Sequence, residues 1–171
     1  MALDVQQGFN LYADDVNKWL GLDKLKRPAL EDVLVDFRPG GARVDTEVAM
    51  GIKKLAMPFT CKNVDTHLLG LFGLGAGVRK RFTAYGHVVD ELTEETRQEI
   101  ITVRGRLVKA EQADLKPNEM AEFDYAVGAI IYYHYVSGGR TVHRWNMATN
   151  ELVINGVDQL AAQSANLAIR G

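Results

Sequence analysis

Residues 121–139, AEFDYAVGAIIYYHYVSGG, constrain the fold more than any other stretch of this chain. Every second residue gives Phe123, Tyr125, Val127, Ala129, Ile131, Tyr133 and Tyr135, an apolar and aromatic row at the two-residue period of a β-strand. The row predicts one long strand with an unbroken core face. The opposite row begins with Glu122 and Asp124, then becomes Ala126, Gly128, Ile130, Tyr132, His134 and Val136. A strand with one side in water stays polar on that side. Something must cover the second face: the chain's own sheet and helix, or a neighbouring subunit.

Strand-like runs fill most of the remaining sequence, each bounded by Gly, Asp, Asn or Pro. Residues 8–21, GFNLYADDVNKWLG, read as a hairpin turning at Asp14-Asp15. The run ALEDVLVDFRPGG (29–41) stops at Pro39, Gly40 and Gly41, which favour a turn or flexible loop. In LAMPFTCK (55–62), Leu55, Met57, Phe59 and Cys61 share a face, and Pro58, which has no ladder donor, predicts an edge strand or a bulge. EIITVRGRLV (99–108) sets Ile101, Val103, Gly105 and Leu107 opposite Thr102, Arg104 and Arg106. GRTVHRWNM (139–147) and ELVING (151–156) add strands either side of a turn at Thr149-Asn150.

Helix signals are sparse. Asp65 can cap a short helix with Leu68, Leu69, Leu71 and Phe72 on its apolar face, and Leu160, Ala161, Ser164, Leu167 and Ala168 suit a second. The pattern predicts a mainly β fold, an antiparallel β-sandwich or barrel with one short α-helix and a C-terminal helical segment. At 171 residues the chain fits one domain, residues 1–171.

Composition narrows the function. Charged residues are 25% of the chain and the formal net charge is −2, so no broad positive field exists to hold nucleic acid tightly. The lone cysteine, Cys61, excludes an internal disulfide and a four-cysteine zinc site, and reads as a small buried side chain. MALDVQQGFNLY lacks a basic segment followed by an apolar run, and no window reaches the roughly 20 apolar residues of a membrane helix. The expectation is a soluble chain made inside the cell, without membrane insertion.

Catalytic patterns fail in detail. GLFGLGAGVRKR (70–81) has the glycines of a phosphate loop but neither Gly-Lys-Ser/Thr nor G-x-G-x-x-G between strand and helix, so it reads as a loop after a short helix. His67, His87, His134 and His143 have no partner at metal-ligand spacing, and His134 reads as a packing or interface histidine. Neither Ser137 nor Ser164 sits in G-x-S-x-G. The acids of DELTEETRQE (90–99) read as a solvated loop, and Arg104 with Arg106 as a solvated or subunit-facing row. Catalysis has little support in these residues, an enzyme resting only on scattered acids and histidines.

Three segments carry a resemblance. FRPGGARVDTEVAMGIKKLAMPFT (37–60), VRGRLVKAEQADLKPNEMAEFDYAVGAIIYYHY (103–135) and INGVDQLA (154–161) resemble, in order, motifs of the major tail tube proteins of contractile-tailed phages. The chain departs from the family at Asp14-Asp15, where Asp-Gly is usual, and in a tail, AAQSANLAIRG, without the arginine often found after the Asn-Gly-Val-Asp signature. The resemblance implies hexameric rings stacked into a hollow tube inside a contractile sheath, located in the virion tail and assembled in the bacterial host cytoplasm. It implies no catalysis and no cofactor, and partners in further copies of the chain and in the sheath, tape measure, baseplate and tail terminator proteins, with DNA passing unbound through the lumen. Candidate subunit and ring contacts are Arg38, Gly40, Gly41 and Arg43 in one loop, Asp114, Lys116 and Asn118 in another, Tyr132 and His134 on the long strand, and Asn155 and Asp158 of the signature. A bacteriocin or type VI secretion tube shares these features. A monomeric ligand-binding β-barrel is the alternative outside that group.

Overall fold

The computed structural model describes residues 2–169 as a mainly β chain with two short helices. In order the strands are β1 (Asp4–Ala13), β2 (Val16–Asn17), β3 (Leu22–Leu25), β4 (Asp32–Phe37), β5 (Thr46–Ile52), β6 (Met57–Cys61), β7 (Lys80–Asp90), β8 (Thr96–Gln112), β9 (Phe123–Ser137), β10 (Arg140–Asn146), β11 (Glu151–Ile154) and β12 (Val157–Asp158). Helix α1 (Thr66–Gly70) precedes β7, and α2 (Ala161–Asn166) follows β12. The named strands pair antiparallel throughout.

Two long strands, β8 and β9, contribute to both layers of the sandwich. Where residues 99–104 face 132–137, they belong to a layer ordered β12-β11-β10-β9-β8-β7-β1-β2. Where residues 106–112 face 123–128, β9 pairs instead with β6, and β6 with β3. Strands that switch between packed sheets do so at bulges. Between Arg104 and Arg106 of β8, β9 runs from Tyr132 to Gly128, which is two residues longer, and Val108 is an extra residue on β8 just beyond. The row expected to be unbroken is therefore broken at Ala129. Ala129 takes φ +47° and is exposed, while Ile130 enters the core in its place. The two added residues then restore the phase, so Tyr133 and Tyr135 again pack on the core.

This corner requires glycine. A Cβ on Gly105 would stand 2.6 Å from the Gly128 carbonyl oxygen and 3.0 Å from side-chain atoms of Ile130 and Val127. Gly105→Ala is expected to cost about 2 kcal/mol of stability. Urea unfolding checks this: the midpoint should fall with the slope unchanged.

Leu11, Phe82 and Val103 from one layer and Met57, Phe59, Tyr125 and Val127 from the other form a single core cluster, with Phe59 stacked on Tyr125 at 5.2 Å. The β1–β2 hairpin forms although its turn is Asp-Asp. Asp14 (φ +49°) and Asp15 (φ +66°) both adopt the left-handed conformation such a turn needs, and β7 holds them through Lys80 Nζ–Asp14 Oδ2 at 2.7 Å and Arg81 Nη2–Asp15 Oδ1 at 2.6 Å.

Three local expectations need correction. Pro58 is not on an edge strand, because β6 lies between β3 and β9, and it is not at a bulge, since the register shift of the β3–β6 ladder falls between Leu22 and Lys24, opposite Cys61 and Thr60. Its carbonyl accepts from Lys26 N at 3.0 Å, so its missing N–H faces past the last residue of β3, where the ladder has ended. Leu68 of α1 and Leu71, its C-cap, reach the core, whereas Leu69 and Phe72 are exposed, since a five-residue helix presents a single inward turn. Helix α2 buries Ser164, whose Oγ donates to Asn150 O at 3.0 Å, rather than Leu167 or Ala168. Residues 71–79 form the expected loop, while Gly70 ends α1 and Lys80 and Arg81 begin β7; Arg106 ties the loop down by donating to Gly75 O at 2.7 Å and to Leu74 O at 2.5 Å.

Candidate assembly interface

The least covered part of the chain is a two-stranded arm. Among the described residues, strands β4 and β5 pair only with each other, in register Leu34–Ala49, Val35–Val48, Asp36–Glu47 and Phe37–Thr46, and every residue in them is exposed. Period-two alternation puts Val33, Val35 and Phe37 on one face with Val48, while Leu34 shares the other with Asp36, Ala49 and Glu47. Val35 is 49% exposed and Met50 68%. A two-stranded hairpin with no third strand or helix against it is marginal in water.

At the arm's tip stand Arg38, Gly40, Gly41 and Arg43. Arg38 Nε pairs with Asp45 Oδ1 at 2.5 Å, Ala42 N donates to Pro39 O at 3.0 Å, and Gly41 takes φ +84°. The tip is thus an ordered turn. At the root, Lys53 N donates to Glu31 O at 2.8 Å before Leu55 enters the core. Between the root and the body lies a cavity of about 580 Å³, lined by Leu30 and Ile52 on the arm side and by Tyr133, Trp145, Leu152 and Ile154 on the other.

The other candidates fall on separate elements. Asp114, Lys116 and Asn118 are exposed in the β8–β9 loop, where Asn118 takes φ +62° and Lys116 Nζ lies 3.8 Å from Glu119 Oε2. Tyr132 and His134 lie half-buried on the outer face of the larger layer. There His134 falls in a cross-strand row Thr83–Thr102–His134–Arg144, and its Nε2 lies 3.0 Å from Thr141 Oγ1. Burial, reinforced by the Arg144 charge, lowers the His134 pKa, so the ring is neutral at pH 7. Asn155 (φ +50°) and Gly156 (φ +84°) form the β11–β12 turn, and Asp158 Oδ1 accepts from Leu152 N at 3.3 Å and Leu160 N at 3.0 Å. The signature residues hold the chain's own C-terminal turn together.

The larger layer also has an open side. Among the described residues β1 pairs with β7 over its whole length but meets β2 only at Tyr12 and Ala13, so residues 4–10 present a strand edge with no second ladder.

Burial pushes the Cys61 thiol up to about 11, with Asp65 adding to the rise and Lys18 opposing it. Burial likewise raises Tyr125 and Tyr133 to about 12. Among the described residues no group of three or more His, Cys, Asp or Glu could hold a metal ion. Glu99, expected among solvated acids, is instead buried, with its carboxylate on Arg27 and Tyr135. Sequence reasoning missed that cluster, because its members are 36 and 72 residues apart. It also missed the exposure of the arm, since alternating apolar strands look alike whether covered or not.

No curated protein matches the chain. A match to the family described as Phage tail tube protein FII spans residues 5–167, taking in the sandwich and the arm together. With that match over nearly all of a mainly β, antiparallel fold, the chain belongs to the phage tail tube protein FII family, and its role is structural, as a component of a virion tail tube.

Proposed function

We propose that the chain assembles into hexameric rings that stack into the inner tube of a contractile phage tail, the conduit through which DNA leaves the virion. The observation that carries this reading is the exposed apolar arm projecting from an otherwise well-packed body. An apolar surface of this kind on a monomer marks an interaction site, and identical copies supply an occupant at every step of a repeating assembly. The open edge of β1 fits the same reading, because a ring pairs edges that a single subunit leaves free.

In this arrangement the arm tip (Arg38 to Arg43) and the 114–118 loop bridge successive rings, and Tyr132 and His134 meet a neighbour. Sheath, tape measure, baseplate and terminator proteins complete the tail. A net charge of −2 suits a wall that DNA slides past, since a strongly basic lumen would bind phosphates through counterion release. Negative-stain electron microscopy of the concentrated chain tests the proposal. Six-fold rings or hollow tubes are expected; single particles at every concentration would overturn it.

A further inference from the structure

The segment joining the body to the arm, residues 26–31, is held to the body by the Lys26 N–Pro58 O hydrogen bond and then by one polar side-chain cluster. Arg27 places its guanidinium on the buried Glu99 carboxylate of β8, donates from Nη1 to Tyr135 Oη of β9 at 3.1 Å, and donates from Nη2 to Gln6 Oε1 of β1 at 3.3 Å. Its Cζ also lies 5.2 Å from the centre of the Tyr135 ring. Tyr135 Oη in turn donates to Glu99 Oε1 at 2.8 Å. One side chain thus grips three strands, in a fork geometry that an ammonium group cannot reproduce.

The next residue, Pro28, is buried, and exposed chain follows to the start of β4. The returning leg is anchored separately, where Leu55 enters the core. A hairpin held by one leg can swing about that leg; anchors on both legs fix its direction.

We infer that Arg27 is a positioning residue for assembly: its clasp on Glu99 and Tyr135 sets the angle at which the arm leaves the body. It rests on the reading of the arm as an inter-subunit contact. Pre-orienting the arm removes ordering entropy that every docking step would otherwise have to overcome. Arg27→Met alone leaves Glu99 as an unpaired buried carboxylate, so the informative variant is Arg27→Met with Glu99→Gln. The glutamine keeps an acceptor for Tyr135 without the charge.

Arm direction is read in the dilute monomer by double electron–electron resonance, between nitroxides on cysteines replacing Arg43 at the tip and Thr96, exposed at the start of β8. Cys61 is buried and stays unlabelled. The native clasp should give a narrow distance distribution, the double variant one at least twofold broader, and Arg27→Lys an intermediate width. Tube growth by the unlabelled double variant should slow by about tenfold, while its melting temperature stays near that of the parent. Equal widths for parent and double variant would overturn the inference. So would a broadened arm that assembles at the parental rate. Failure of the parent chain itself to assemble would count against the tube reading instead, and the width comparison would still decide whether Arg27 directs the arm.

Discussion

Replacing Gly40 and Gly41 together with proline is expected to leave the body folded and to raise the concentration needed for tube growth about 100-fold. Proline fixes φ near −65°, whereas Gly41 stands at +84°, so the tip cannot keep its turn. The Ala42–Pro39 hydrogen bond and the Arg38–Asp45 pair go with it. None of these groups touches the core, so the thermal melt should move by no more than a degree or two. A loss of about 2.7 kcal/mol per subunit contact corresponds to the hundredfold change. Light scattering against concentration, beside a circular dichroism melt, checks both halves. Growth at the parental concentration would remove the tip from the contacts between rings.

The second large effect lies in the body. Asp65 caps α1, accepting from His67 N at 3.0 Å and Leu68 N at 3.1 Å, and it pairs with Lys18 Nζ at 2.7 Å. Lys18 is only 7% exposed. Asp65→Ala removes a cap, at about 1 kcal/mol, and strands a buried ammonium, at about 3 kcal/mol. A total near 4 kcal/mol should lower the melting temperature by about 12 °C, and adding Lys18→Met should recover more than half of that.

The same residue gives a pH signature. Burial alone would raise the Asp65 pKa, but the Lys18 hydrogen bond, the helix N–H groups and the Lys18 charge outweigh burial and hold it below the ordinary carboxyl range. A depressed carboxyl stabilises the fold above its unfolded value near pH 4, and that stability is lost as pH falls through the folded value. Melts between pH 3 and 7 should show a steeper acid limb for the parent than for Asp65→Ala.

The sequence disclosed elements better than their relations. Alternation located β8 and β9, and the Asp65 cap located α1, because those signals are local. The corner at Ala129 was not legible. A bulge adds residues without changing composition, and only the close approach of Gly105 to Gly128 O explains why glycine stands at that point. Pro58 misled for a related reason: its missing donor matters only on the side where β3 has already ended. Asp14-Asp15 departed from the usual turn pair, yet the turn forms because Lys80 and Arg81 stand across from it. At the candidate interface, the Gly-Gly tip was visible as a turn, but the exposure of both arm strands was not, since Val33, Val35 and Phe37 would read identically inside a sandwich.

The central claim is that the arm, incomplete in a single subunit, is completed by identical copies. Amide hydrogen exchange on residues 32–52, followed in dilute monomer and in assembled material, tests it most directly. The arm hairpin is formed but marginal in the monomer, so its amides should show only weak protection there and gain at least about 100-fold on assembly, while those of β7 and β8 hold steady. Equal protection of the arm in both states would contradict it.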